Sequence, residues 1–158
     1  MNKLTYYIEM TKKVASLKML PKAVNYLKYK LIKPKAVVNC YTPQIVGVMM
    51  TYKCNLRCGY CGLVKSGLVN EEKSEMTLDI IKRAFTHPIL KNAVLVDLLG
   101  GEPLLCNDFI EIVAFLSSCG HLTNTSTNGL LLADKIADLK KAGITRINVS
   151  IYPENIDI

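Results

Sequence analysis

After Pro43 the chain settles into a rhythm that few folds accommodate. Apolar, strand-like runs at Gln44–Thr51, Ala93–Leu99, His121–Thr127 and Thr145–Tyr152 are separated by stretches of helical character. Alternation of this kind predicts successive βα units around a parallel sheet. The later runs begin about 24 to 28 residues apart, enough for a right-handed crossover through a helix. Periodicity leaves two architectures open, an α/β barrel and an open doubly wound sheet. In both, chemistry belongs where strands end and helices begin.

The connecting segments carry ordinary helix signals. Thr77 can cap free amides, Asp79 suits a positive helix end, and Leu78, Ile81 and Phe85 form a buried stripe that Pro88 stops. Asn107 or Asp108 caps the next helix, with Ile110, Val113, Ala114 and Leu116 as its apolar set and Gly120 as terminator. A third helix is expected over Ala133–Ala142, ending at Gly143. The third strand is unusual, since Thr123-Asn124-Thr125-Ser126-Thr127 stands where a buried parallel strand is normally aliphatic. Such a run suggests that one face looks into a site. In the fourth strand Ile147, Val149 and Ile151 alternate with Asn148, Ser150 and Tyr152, which predicts one buried face and one polar face.

Composition enters where it limits the alternatives. The 158 residues are half apolar and 21% charged, a globular rather than a disordered profile. No export signal is visible in Met1–Met10, and apolar runs such as Ile45–Met50 and Gly129–Ala133 are far too short to span a bilayer. The net charge of +7 is concentrated: residues 1–35 hold nine lysines against Glu9 alone, and residues 36–158 are nearly neutral. The sequence therefore divides into a basic helical N-terminal extension, 1–35, and an α/β unit, 36–158. Pro21 and Pro34 are expected to break the extension into two helical pieces and a linker. Its lysines read as a solvated helix face, with weak contact to an anionic membrane surface as the other reading; no specific nucleic acid is implied.

Six cysteines in a chain without an export signal point to a reducing, cytoplasmic setting and to metal rather than disulfides. Cys54-Asn-Leu-Arg-Cys58-Gly-Tyr-Cys61 packs three soft thiolate donors into eight residues, and Gly59 spares side-chain bulk in the tightest part. Zinc and an iron–sulfur cluster both accept such donors. Structural zinc ordinarily closes with four ligands, and no second short-spaced pair follows. Cys40, Cys106, Cys119, His87 and His121 stand alone and read as core or surface residues. Three thiolates on a four-iron cluster leave one iron for an exogenous ligand. Gly100-Gly101-Glu102-Pro103, at the end of the second strand, combines close backbone approach with an anion suited to a ligand's ammonium group.

With these residues in view, the chain resembles the radical S-adenosylmethionine (radical SAM) superfamily from about Ile45 to Ile151. The resemblance implies a partial (β/α) barrel with about four strands present and an N-terminal helical extension. It implies a [4Fe–4S] cluster on Cys54, Cys58 and Cys61, and S-adenosyl-L-methionine as the second cofactor. By the same likeness Tyr60 lies beside the adenine, Gly100, Gly101, Glu102 and Pro103 meet the methionine amino group, and Ser126, Asn128 and Ser150 approach the ribose or carboxylate. The implied chemistry is reductive cleavage of the cofactor to a 5′-deoxyadenosyl radical that abstracts hydrogen from a substrate the sequence does not name. An electron donor of flavodoxin or ferredoxin type is implied with it. Two departures stand out: Ile151-Tyr152-Pro153-Glu154 replaces the Asp-Gly that often follows Ser150, and six strand–helix units are usual where four strands are found here. A truncated frame, a fragment or a half needing a partner is expected from the second. The competing functional reading is a non-catalytic iron–sulfur or zinc module.

Overall fold

The computed structural model describes residues 17–31, 43–70 and 75–152. Within them lie four strands, β1 (Ile45–Met49), β2 (Leu95–Leu99), β3 (Leu122–Thr127) and β4 (Arg146–Val149). Five helices accompany them: α1 (Leu20–Leu31), α2 (Gly62–Lys65), α3 (Leu78–Thr86), α4 (Phe109–Ser118) and α5 (Leu132–Ala142). All neighbouring strands are parallel, in the order β1-β2-β3-β4. A doubly wound sheet reverses its order at a switch point. The steady progression seen here is the winding of a barrel arc, which decides between the two architectures left open by the sequence.

The helical segments begin and stop for identifiable reasons. The Thr77 hydroxyl accepts a hydrogen bond from the Ile80 amide at 3.4 Å, Asp79 sits in the first turn of α3, and His87 turns extended before Pro88. Asp108 precedes α4 without capping it; its Oδ2 accepts instead from the Leu78 amide at 2.9 Å, fastening α3 to the neighbouring unit. Gly143 ends α5 in the left-handed conformation at φ 88°, as a C-terminal glycine commonly does.

One sheet face packs under the helices. In register across it lie Val46, Val96 and Thr123, then Val48, Leu98, Thr125 and Ile147. They meet Ile81 and Phe85 of α3, Ile112 and Leu116 of α4, and Leu139 of α5. One sequence expectation needs correction here. Phe109 and Ile112 are wholly buried on α4 whereas Ala114 is exposed, because the helix turns its densest apolar face, rather than the chosen stripe, to the sheet. The polar run of β3 divides: Thr123 and Thr125 lie on this covered face, where the Thr125 hydroxyl donates to the Leu98 carbonyl at 2.8 Å, whereas Ser126 and Thr127 line a cavity at the strand's end, as expected of a run with one face toward a site.

On β4 the expected buried face is only partly realised. Ile147 packs against the core, but Val149 and Ile151 are exposed, since among the described residues no helix follows β4 to cover them. The opposite sheet face carries a polar row in which Asn124 bonds Asp97 and accepts from Arg146 Nε at 2.9 Å. Pro21 follows a 3-10 turn, Leu17–Met19, and the piece expected before it lies outside the described residues. The proline occupies the first turn of α1, where its missing N–H is not needed. Not all lysines there are solvated: Lys22 is 3% exposed and donates to the carbonyls of Lys91 (3.2 Å) and Cys119 (3.1 Å). Burial pushes the Lys22 ammonium pKa down, with the Cys119 thiol opposing. The remaining parts of the basic extension and the linker, residues 1–16 and 32–42, lie outside the described residues, as does Cys40. No described helix is long and apolar enough to cross a membrane.

Candidate functional site

The C-terminal ends of β1 and β2 are locked together before the cysteine loop begins. Pairing continues past both strands: the Met50 amide donates to the Leu99 carbonyl (2.7 Å), Gly101 to Thr51 (2.9 Å) and Glu102 to Lys53 (2.8 Å). A Cβ on Gly101 would lie 2.4 Å from the Lys53 carbonyl oxygen, and one on Gly100 would lie 2.8 Å from that of Thr51. Both positions need glycine because another stretch of backbone occupies the space, whatever else approaches them. A second fastening comes from Glu75, bridged to Thr51 in antiparallel fashion. Its carboxylate accepts from the Asn107 amide at 2.7 Å and pairs with Lys53 Nζ at 2.6 Å. Those two contacts, the amide first, hold its pKa below the usual carboxylate range.

The loop therefore leaves a rigid base. Cys54, Cys58 and Cys61 are free thiols, each partly exposed, and all three line one cavity of about 310 Å³. The rest of its wall is Leu56, Tyr60, Gly100, Gly101, Ser126, Thr127, Asn128, Ser150 and Tyr152. Four sheet ends thus converge, as expected for a parallel α/β site. The Cys54 sulfur accepts from the Leu56 amide at 3.4 Å. Burial pushes the Cys54 thiol pKa up, the Leu56 amide opposes this, and the charges of Glu102, Cys58 and Cys61 add to the rise. Among the described residues, no three His, Cys, Asp or Glu side chains gather closely enough to hold a single metal ion. The thiols ring the cavity instead.

Of the eleven site residues chosen from sequence, nine line this cavity and two stand behind it. Glu102 is wholly buried: Oε1 accepts from the Leu104 amide (3.1 Å) and the Thr127 hydroxyl (2.8 Å), and Oε2 from the Asn128 amide (2.8 Å). Its carboxylate ties the β2 turn to the end of β3. Pro103 is buried too, opening the 3-10 turn Pro103–Leu105. Tyr60 lies in the wall with its ring centroid 4.6 Å from that of Tyr152. Asn128 lies in the wall as well, but its Nδ2 donates to Asn55 Oδ1 at 2.7 Å and its Oδ1 accepts from the Leu130 amide at 3.1 Å. A Cβ on Gly59 meets no protein atom within 4 Å. Sequence reasoning missed Tyr152, Asn55 and Asn70, and it reached Thr127 only through the polar run of β3. Tyr152 was signalled by its place on the polar side of the β4 alternation, whereas nothing local marks Asn70.

Comparison with known proteins agrees with this arrangement. The family model described as the radical SAM superfamily matches residues 48–152. GTP 3′,8-cyclase of Listeria monocytogenes is 37% identical over 111 residues, covering 67% of this chain and 32% of that protein. GTP 3′,8-cyclase of Clostridium botulinum is 34% identical over 110 residues, 66% of this chain and 33% of the relative. The chain spans about a third of the length of the curated relatives it matches. The fold is similar to a crystal structure of BtrN in complex with AdoMet and 2-DOIA, with a TM-score of 0.58 and 24% identity over 70% of this chain and 46% of that one. Three cysteines on the loop after β1, and a family match that runs from the end of β1 past β4, lead to one conclusion: this chain belongs to the radical SAM superfamily.

Proposed function

We propose that this chain is the cofactor-binding part of a radical SAM enzyme, with Cys54, Cys58 and Cys61 holding a [4Fe–4S] cluster at the mouth of the cavity. The observation that carries the proposal is the meeting of these thiols with the ends of β2, β3 and β4 in one cavity. The donor set suits the group. A cluster gives each thiolate its own iron, and three thiols on one cavity wall supply soft donors for three of its four corners.

When bound, the cluster and S-adenosyl-L-methionine supply electron transfer, carbon–sulfur cleavage and a 5′-deoxyadenosyl radical able to take hydrogen from a substrate. The protein's share is placement. The backbone of Gly100 and Gly101 forms the wall nearest the cysteine loop, suited to hydrogen bonding with the methionine part of the cofactor. Glu102 and Pro103 serve that wall from behind, Glu102 by fixing Thr127 and the Asn128 amide. Ser126, Asn128 and Ser150 offer polar groups for the ribose and carboxylate, and Tyr60 an aromatic surface for the adenine. Burial favours the Cys54 thiol, so Cys54 would ligate metal as a thiolate with its proton released to solvent. A flavodoxin- or ferredoxin-like donor supplies the electron in a reducing, cytoplasmic compartment.

The test is anaerobic reconstitution of the chain, which is expected to bring in about four iron and four sulfide. Reduction with S-adenosyl-L-methionine present should then release 5′-deoxyadenosine, and Cys54→Ala, Cys58→Ala and Cys61→Ala should each abolish both results. Stoichiometric zinc with no iron, or a cluster that never yields the nucleoside, would overturn the proposal for this chain.

A further inference from the structure

The first cysteine is held by residues outside the three-cysteine motif. Asn70, on the segment after α2, reaches back so that its Oδ1 accepts from the Cys54 amide at 3.1 Å, while its own amide donates to the Tyr52 carbonyl at 3.1 Å. To do so it adopts φ 66°, and among the described residues it alone has positive φ without being glycine. A left-handed asparagine costs conformational energy that surrounding contacts must offset, and such residues gather at functional sites. On the other side Asn55, next to Cys54 in the chain, is tied to Asn128 at the end of β3. Arg57 closes the turn by donating from Nη1 to the carbonyls of Cys54 (2.8 Å) and Leu56 (2.9 Å).

Two separate elements therefore grip neighbouring residues of the loop. Neither grip involves sulfur, so neither competes with a metal for the thiolate. We propose that Asn70 and the Asn55–Asn128 pair are positioning residues that set Cys54 in its ligating place before any metal arrives. This rests on the reading of Cys54–Cys61 as a metal loop. The consequence is preorganisation: the loop gives up its freedom on folding, and less remains to be lost on binding.

The full chain, reduced and anaerobic, can be titrated with cadmium alone, following thiolate-to-metal absorption. Asn70→Gly keeps the left-handed backbone and removes the acceptor; Asn70→Asp keeps both. Asn70→Gly and Asn55→Ala should each weaken cadmium binding about tenfold, the scale on which outer-sphere partners of a metal ligand act. Asn70→Asp should recover wild-type affinity, and Asn70→Gly should change nothing further in a Cys54→Ala background. Unchanged affinity in Asn70→Gly, no recovery in Asn70→Asp, or an equal loss without Cys54 would each overturn the positioning role. Failure of the wild-type chain to give any thiolate–cadmium absorption dependent on Cys54 is a different result: it would sink the metal-loop reading and this proposal with it.

Discussion

Substituting Gly101 with alanine tests whether the β2 turn is the foundation of the cysteine loop. The new methyl would sit 2.4 Å from the Lys53 carbonyl oxygen and 3.0 Å from both the Lys53 carbon and the Tyr52 oxygen, against the 3.4 Å at which ordinary contact begins. All three obstacles are backbone, so no side chain can swing aside. The two segments must part by about 1 Å, a strain of overpacking that typically costs about 1–3 kcal/mol. Parting also stretches the Gly101–Thr51 and Glu102–Lys53 hydrogen bonds, each worth about 1 kcal/mol. The sum is about 3–5 kcal/mol, a large share of the stability of a domain this size. Gly59→Ala is the internal control, since its methyl meets open space, and is expected to stay within about 0.5 kcal/mol of wild type. Urea unfolding followed by far-UV circular dichroism measures both, with equal m-values as the condition for comparing them. Because Lys53 precedes Cys54, Gly101→Ala should also lose metal uptake in refolded protein. A Gly101→Ala chain as stable as Gly59→Ala would refute the reasoning, because it would mean that the strand ends are not in contact as described.

Three further outcomes follow from buried groups. His121 is 4% exposed, with Nδ1 2.9 Å from the Ala93 carbonyl oxygen and its ring edge-on to Phe85. Burial above all, then the Lys22 charge, lowers its pKa from 6.5 to about 4 against the opposing Ala93 contact. The folded state therefore disfavours the proton, so this contribution is complete above pH 6.5 and declines between pH 6.5 and 4. The decline is about 1.4 kcal/mol per pH unit and about 3 kcal/mol in all, and the slope should disappear in His121→Gln; an unaltered slope in that variant would count against it. Glu102→Gln turns an amide NH2 toward either the Asn128 amide or the Leu104 amide and Thr127 hydroxyl, leaving donors face to face. It should destabilise the chain by about 2–3 kcal/mol, and a neutral result in thermal unfolding would contradict the hydrogen-bond assignment. Lys22→Met leaves the Lys91 and Cys119 carbonyls without their donor. Faster amide exchange confined to α1 is expected, and unchanged exchange there would show that Lys22 does not dock the helix.

Much of the fold was legible because its signals are local. Alternating apolar runs, Thr77 before α3 and Gly143 after α5 each speak through neighbouring residues, and four strands and their order of succession came out accordingly. The clustering of the three cysteines was legible for the same reason, since all three lie within eight residues. Errors arose where a residue's role depends on what lies across the fold. The polar run of β3 reads as one unit in a string of letters, yet only Ser126 and Thr127 reach the cavity, while Thr125 is buried with its hydroxyl on the Leu98 carbonyl, because a threonine whose hydroxyl finds a carbonyl can replace an aliphatic residue.

The sequence by itself determined the chemistry available: three thiolates within eight residues, a glycine-rich turn, and a repeating βα scaffold to carry them. Only the tertiary structure decided the division of labour among them. It set Gly100 and Gly101 against the backbone before Cys54, turned the Glu102 carboxylate inward to β3, and brought Asn70 and Asn128 to the two sides of the same loop. The physical reason is that these contacts join residues from 16 to 73 positions apart. Such distances close only when a parallel sheet gathers its strand ends, and no local pattern records them.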